Sequence, residues 1–188
     1  MDRDAVIDAA RLRRFMERAY RAEGFSSDEA AQIADVLMQA DLFGIESHGA
    51  QRMMYYHRNI ASGSVDITAK PEIVRETPVS ALLVGHFAMG QLCGVQAMRM
   101  AIAKAKQTGV GIVCVRNSSH YGIAGYYPLM AAREGLCAFS MTNTGPIMLP
   151  TFGREMMLGT NPLAFCMPAE PVPFWFDAST TVVTLGKV

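Results

Sequence analysis

Gly109-Val110-Gly111-Ile112-Val113-Cys114-Val115-Arg116-Asn117-Ser118-Ser119-His120-Tyr121-Gly122 invites one reading of the fold and supports another. Two glycines beside an apolar run suggest the Rossmann turn. That turn needs Gly-x-Gly-x-x-Gly after the first strand and at the opening of a helix. Cys114 occupies the third glycine position, and the glycines precede the strand at 111–115 where the motif should follow one. The stretch instead reads as a helix stop at Gly109, a continuous apolar strand of the buried kind, and a Ser/Gly-rich turn. A phosphate-loop signature is also absent, because Gly186-Lys187 has Thr181 where the upstream glycine belongs.

Outward from this strand, residues 89–107 form an amphipathic helix with Val95, Met98, Ala101, Ile102 and Ala105 in register. Short strands are expected at 65–68, 73–75 and 81–84. On the other side come a helix over 123–134 stopped by Gly135, and strands over 136–141, 163–167 and 174–176. The N-terminal part differs in texture. Ala9, Leu12, Phe15, Met16, Ala19 and Tyr20 recur at three- and four-residue steps, and Gly24 ends that helix. Ser26 with Glu29 fits a capping box for a second helix reaching about Leu42. A third helix is expected to start at Ser47 and stop at Gly63. The expected architecture is α+β: a helical unit over 1–63, then an α/β domain over 64–188 whose strands and helices alternate.

The chain has 188 residues, 51% of them hydrophobic and 18% charged, with net charge zero. That length can bury a real core. No basic stripe points to nucleic acid, and no apolar run has the length of a membrane span. The opening Met1-Asp2-Arg3-Asp4 lacks a signal-peptide core, so the default expectation is a cytoplasmic protein. Cys93, Cys114, Cys137 and Cys166 are too far apart for a zinc motif and are expected to be buried free thiols. No metal site is expected.

Three places could carry chemistry. Ser47-His48 at an expected helix start would meet free N–H groups and the positive end of the helix dipole, where a histidine gives up a proton readily. The bland alternative is an N-cap serine and a surface histidine. Arg52, one turn after His48, could grip a carboxylate by a two-pronged hydrogen bond, or be a solvated surface arginine. His120, in the turn after the apolar strand, has backbone amides around it that could bind phosphate. Thr160 in Gly159-Thr160-Asn161-Pro162 offers a hydroxyl ahead of a strand, and is otherwise a turn threonine. His57 and His86 read as incidental.

Four segments occur together: Gly44-Ile45-Glu46-Ser47-His48-Gly49-Ala50-Gln51-Arg52, Asn117–Tyr126, Leu158–Phe165, and Asp177-Ala178-Ser179-Thr180-Thr181. In order and approximate spacing they resemble the type 2 malate/L-lactate dehydrogenases, a family of NAD(P)-dependent oxidoreductases. It includes ureidoglycolate dehydrogenases, diketogulonate reductases and cyclic imino-acid reductases. The resemblance covers nearly the whole chain and implies a non-Rossmann cofactor domain on a mixed, mostly antiparallel sheet with flanking helices. It implies hydride transfer between NAD or NADP and a small 2-oxo acid, 2-hydroxy acid or cyclic imino acid, in a homodimer.

By the same resemblance, His48 is the proton donor and Ser47 its relay. Arg52, Thr160, Gly186 and Lys187 hold substrate. His120, Tyr121, Gly122, Ile123 and Ala124 contact the dinucleotide, as do Ala178, Ser179 and Thr180. In the ureidoglycolate branch a histidine of the His120 motif takes the acid/base role, so two histidines compete; Arg52 beside His48 favours His48. Ser119 stands where the family turn has Asn, and Ser179-Thr180 replaces the usual Thr-Ser. Family members are longer and continue past Val188. The chain is therefore expected to be the N-terminal part of a longer member, with an incomplete cofactor site. The rival expectation is a non-catalytic truncated fragment. A Ser-His hydrolase is a distant third, because adjacent Ser47 and His48 should point apart and no Gly-x-Ser-x-Gly elbow exists.

Overall fold

The computed structural model describes residues 6–181. Three α-helices come first: α1 (Ala9–Ala22), α2 (Ser27–Leu42) and α3 (Met53–Ala61). Local chemistry starts the first two. The Asp8 carboxylate accepts the Arg11 N–H at 2.8 Å. Ser26 and Glu29 form the reciprocal capping box, with Glu29 N–H on Ser26 Oγ at 3.3 Å and Ser26 N–H on the Glu29 carboxylate at 3.0 Å. Gly24 and Gly44 leave the helices with positive φ.

The third helix starts later than the sequence suggests. Residues Glu46–His48 and Ala50–Arg52 form two 3₁₀ turns, and α3 begins only at Met53. The break is at Gly49. A Cβ there would fall 1.8 Å from Asp41 Oδ1, and Asp41 accepts the Ala50 N–H at 2.8 Å. A carboxylate nine residues back thus replaces the cap expected from Ser47.

After these helices come β1 (Glu72–Glu76), β2 (Ser80–Val84), α4 (Gly90–Thr108), β3 (Ile112–Arg116), α5 (Tyr126–Ala132), β4 (Ala138–Met141), β5 (Leu163–Met167) and β6 (Phe174–Ala178). Two three-stranded sheets result, in the orders β1-β2-β3 and β4-β5-β6. The second is antiparallel throughout, with Phe139 opposite Phe165 and Phe165 opposite Phe176. The mixed α/β architecture agrees with the expectation.

Gly109 and Gly111 have a structural explanation unrelated to phosphate. Gly109 turns the chain out of α4 with φ +85°, and a Cβ on Gly111 would sit 2.0 Å from the Ala101 carbonyl oxygen. The pair permits a tight turn and a close helix–strand approach. The strand expected at 65–68 is absent. The Asp66 carboxylate captures the Thr68 and Ala69 amides, a local turn that outcompetes ladder pairing.

The chain forms two compact units. The first runs to Glu72 and takes in Val84–Cys93 and Asn117–Gly122; the second comprises Ile73–Leu83, Gly94–Arg116 and the chain from Ile123 onward. The expected division at 63/64 rests on the helix stop at Gly63 and the strand-like segments after it. In the first unit, Met16, Tyr20, Phe25, Ile33, Leu37, Tyr56, Val65 and Met89 share one core. In the second, Leu129 and Ala132 of α5 pack on Cys166 and Trp175.

Two expectations about burial are corrected. Cys93 and Cys166 are buried, but Cys114 and Cys137 are exposed. The β3 strand is not buried on both faces: Ile112 is 57% exposed, and burial alternates along it. In β4, Phe139 and Met141 are 59% and 65% exposed. A strand sends alternate side chains to opposite faces, and α5 covers only the face carrying Ala164 and Cys166.

Candidate active site

In the first unit the residues flanking the Gly49 break meet the turn after β3. Ser47 is buried, and its Oγ lies 2.9 Å from His48 Nδ1. The two adjacent side chains therefore meet beside the 3₁₀ turn. The expectation that they point apart, raised against a hydrolase, is corrected. So is the placement of His48 at a helix start, since α3 begins five residues later.

Arg52 folds back over this turn. Its Nε–H donates to the Ser47 carbonyl at 2.6 Å, and its guanidinium carbon lies 5.6 Å from the centre of the Tyr55 ring. Among the described residues no carboxylate forms an ion pair with Arg52. The backbone bond fixes the direction of the planar fork.

His120 lies against the same group. Its ring stacks on His48 with centroids 5.5 Å apart and an interplanar angle of 27°. Tyr55 meets it edge-on at 5.8 Å. The Tyr56 hydroxyl is 2.7 Å from His120 Nδ1, and the Gly122 N–H donates to the same nitrogen at 3.3 Å. Burial, then the charges of His48 and Arg52, push the His120 ring down to about 3, so it is neutral at physiological pH. The turn is anchored at α4: Ser119 Oγ accepts the Gly90 N–H at 2.9 Å and donates to the Ala88 carbonyl at 3.0 Å. Serine in place of the family asparagine thus serves as the turn's tether. Gly122 has φ +86°, which suits glycine.

The second unit brings together another set. The Thr180 N–H and hydroxyl both donate to the Thr160 carbonyl, at 2.8 and 3.1 Å. Thr144 Oγ1 accepts the Thr160 N–H at 2.8 Å, and Asn161 Oδ1 accepts the Thr144 N–H at 2.9 Å. Ser179 Oγ lies 2.8 Å from Thr181 Oγ1. Ala178 pairs with Leu163 at the end of the β5–β6 ladder. Ile123 and Ala124 are buried, directly before Gly125. The Gly125 N–H binds the Asp177 carboxylate at 2.6 Å, and its carbonyl accepts the Trp175 indole N–H at 3.0 Å. Burial raises the Asp177 carboxyl above its ordinary value, and the Gly125 bond opposes this. Gly186 and Lys187 lie outside the described residues.

The family model for malate/L-lactate dehydrogenase matches residues 7–188. The chain belongs to the malate/L-lactate dehydrogenase family. It is 48% identical over 178 residues to the malate dehydrogenase of Pyrococcus horikoshii, covering 95% of this chain and 49% of that protein. It is 37% identical over 183 residues to the NAD(+) ureidoglycolate dehydrogenase of Escherichia coli O157:H7, covering 97% and 52%. The solved structure of the Pyrococcus horikoshii malate dehydrogenase superposes with a TM-score of 0.93 at 45% identity, over 100% of this chain and 56% of that one. The chain spans about half the length of the curated relatives it matches.

In this member of the malate/L-lactate dehydrogenase family, sequence reasoning overlooked two contributors to the site. Tyr56 is fully buried and bonded to His120, and Asp41 shapes the Gly49 break. Four-residue spacing links His48, Arg52 and Tyr56, a signal that was available. Nothing local marks Asp41.

Proposed function

We propose that the chain is part of an NAD(P)-dependent dehydrogenase acting on a small 2-hydroxy or 2-oxo carboxylate, or on the related cyclic imino acids. Support comes from the names of its relatives, malate and ureidoglycolate dehydrogenases, whose named substrates are both small 2-hydroxy carboxylates. The observation that carries the chemistry is the Ser47–His48 hydrogen bond with Arg52 folded over it.

A nicotinamide dinucleotide, when bound, supplies or takes the hydride. The chain's residues fit such a group. Ser179 and Thr180 offer neutral hydroxyl oxygens at the end of β6 that can accept hydrogen bonds from a ribose or a carboxamide. Ala178 shares that end, and His120, Tyr121, Gly122, Ile123 and Ala124 are the second cofactor segment.

His48 manages the proton. With Nδ1–H donated to Ser47 Oγ, Nε2 is the nitrogen that exchanges a proton with the substrate oxygen. The same arrangement serves both directions: protonated Nε2 acts as the acid in reduction, and bare Nε2 as the base in oxidation. Arg52 grips the substrate carboxylate, so the neighbouring carbon is held in one place. By the family resemblance alone, Thr160 and the Gly186-Lys187 pair are proposed as substrate contacts too. Cytoplasmic location and homodimeric assembly belong to the same reading.

A panel of 2-oxo acids, 2-hydroxy acids and cyclic imino acids, assayed with NAD(H) and NADP(H) by nicotinamide absorbance, tests this function. Turnover of at least one carboxylate substrate with either cofactor is expected. No turnover of any member by the full chain contradicts it.

A further inference from the structure

His120 is bound at one ring nitrogen from two directions. The Gly122 amide can only donate, and it points at Nδ1 from 3.3 Å. A proton on Nδ1 would face that N–H head-on, so Nδ1 must be the bare nitrogen. The Tyr56 hydroxyl at 2.7 Å then has to donate to it as well. Tyr56 is fully buried, and a buried phenol needs an acceptor for its proton; His120 provides one. A neutral imidazole with a bare Nδ1 carries its single proton on Nε2.

We propose that Tyr56 and the Gly122 amide lock His120 as the neutral Nε2–H tautomer, making it a permanent hydrogen-bond donor to an acceptor atom of the bound ligand. His120 then takes no part in proton exchange. Its use toward substrate or dinucleotide rests on the dehydrogenase reading; the tautomer itself does not. Tyr56 is a positioning residue, acting only through the ring it orients.

The ring's neighbours agree. His48 stacks on one face, and Tyr55 meets the ring edge-on. The charges of His48 and Arg52 both oppose a cation at His120. Among the described residues no carboxylate acts on the ring to offset the cost of ionising it. Two stacked histidines can thus divide the labour: one exchanges a proton, and the other donates a hydrogen bond that does not vary with pH.

The test is the two-bond ¹H–¹⁵N spectrum of the imidazoles in the full chain, with His120 assigned by His120→Gln, recorded from pH 5 to 8 in the wild type and in Tyr56→Phe. The wild type should show His120 as a single Nε2–H tautomer with pH-invariant shifts. Tyr56→Phe should show tautomer exchange or a titration absent from the wild type, because one of two donors to Nδ1 is gone. In the assay, Tyr56→Phe should raise the dinucleotide Kd about tenfold, as for one lost hydrogen bond, because His120 belongs to the proposed cofactor segment. A proton on Nδ1 of wild-type His120, or a titration between pH 5 and 8, overturns the lock. Unchanged tautomer and dinucleotide Kd in Tyr56→Phe removes Tyr56 from it. The spectrum needs no turnover, so absence of dehydrogenase activity beside a locked tautomer contradicts the functional reading and leaves the lock standing.

Discussion

Arg52 Nε donates to the carbonyl oxygen of Ser47 at 2.6 Å, tying the guanidinium to the residue that also binds His48. The proposed carboxylate clamp and the proposed proton-transfer group are therefore set by one short turn. Moving either member displaces the other.

Arg52→Lys should raise KM for the best carboxylate substrate and lower kcat. Lysine keeps the charge but loses both the planar fork and the Nε donor that the Ser47 carbonyl uses. Dinucleotide affinity should not change. Steady-state kinetics with a separate cofactor titration reads both; an unchanged kcat/KM rules out the clamp.

Acid stability should carry the signature of His120. Its folded value is pushed down to about 3, from an ordinary 6.5 in the unfolded chain. Between those values the unfolded state binds a proton that the folded state refuses. Stability is therefore lost as pH falls from about 6.5 towards 3, at up to about 1.4 kcal/mol per pH unit for one proton. Asp41 and Asp177 are raised, which has the opposite sign. Urea unfolding of wild type and His120→Gln across pH 4–7 isolates the histidine. The gap between the two should shift in the variant's favour as pH falls; parallel curves would count against a buried neutral ring.

Gly90→Ala should destabilise the first unit. A Cβ at Gly90 would lie 2.3 Å from the Ser119 carbonyl oxygen and 2.4 Å from that of His120, both backbone atoms with little room to move. The cost is about 1–3 kcal/mol, as for other overpacked sites. Chemical denaturation checks it, and a midpoint equal to wild type would show that the α4 start and the 117–122 turn are not in contact.

Thiol labelling should divide the cysteines into two classes. Cys114 and Cys137 are exposed, whereas Cys93 and Cys166 are buried, and burial also raises both of their thiols. A disulfide reagent should modify the first pair rapidly in the native chain and the second pair only on unfolding. Mass spectrometry of labelled peptides identifies the sites; rapid labelling of Cys93 contradicts the packing.

These cases show where the sequence is legible. The α1 and α2 helices are announced by caps that lie within three residues of what they cap, so reading along the chain finds them. The four site segments are likewise contiguous. The start of α3 is different: Asp41 takes the Ala50 amide nine residues on, and no local pattern reveals that competition. The Tyr56–His120 bond joins residues 64 apart and exists only after folding. The burial expected of β3 exceeds what the fold provides for a related reason. An apolar run states what a strand could bury, while coverage depends on which helix packs on which face.

The most direct test of the account is the turnover of His48→Ala beside its dinucleotide affinity. His48, hydrogen-bonded to Ser47, is the proposed proton-exchanging group, and a lost general acid or base costs about 10²–10⁴ in rate. The account predicts a kcat reduced by that factor, with the Kd for the preferred nicotinamide dinucleotide, read by fluorescence, close to wild type. A kcat equal to wild type in His48→Ala would contradict it and hand proton exchange to another residue.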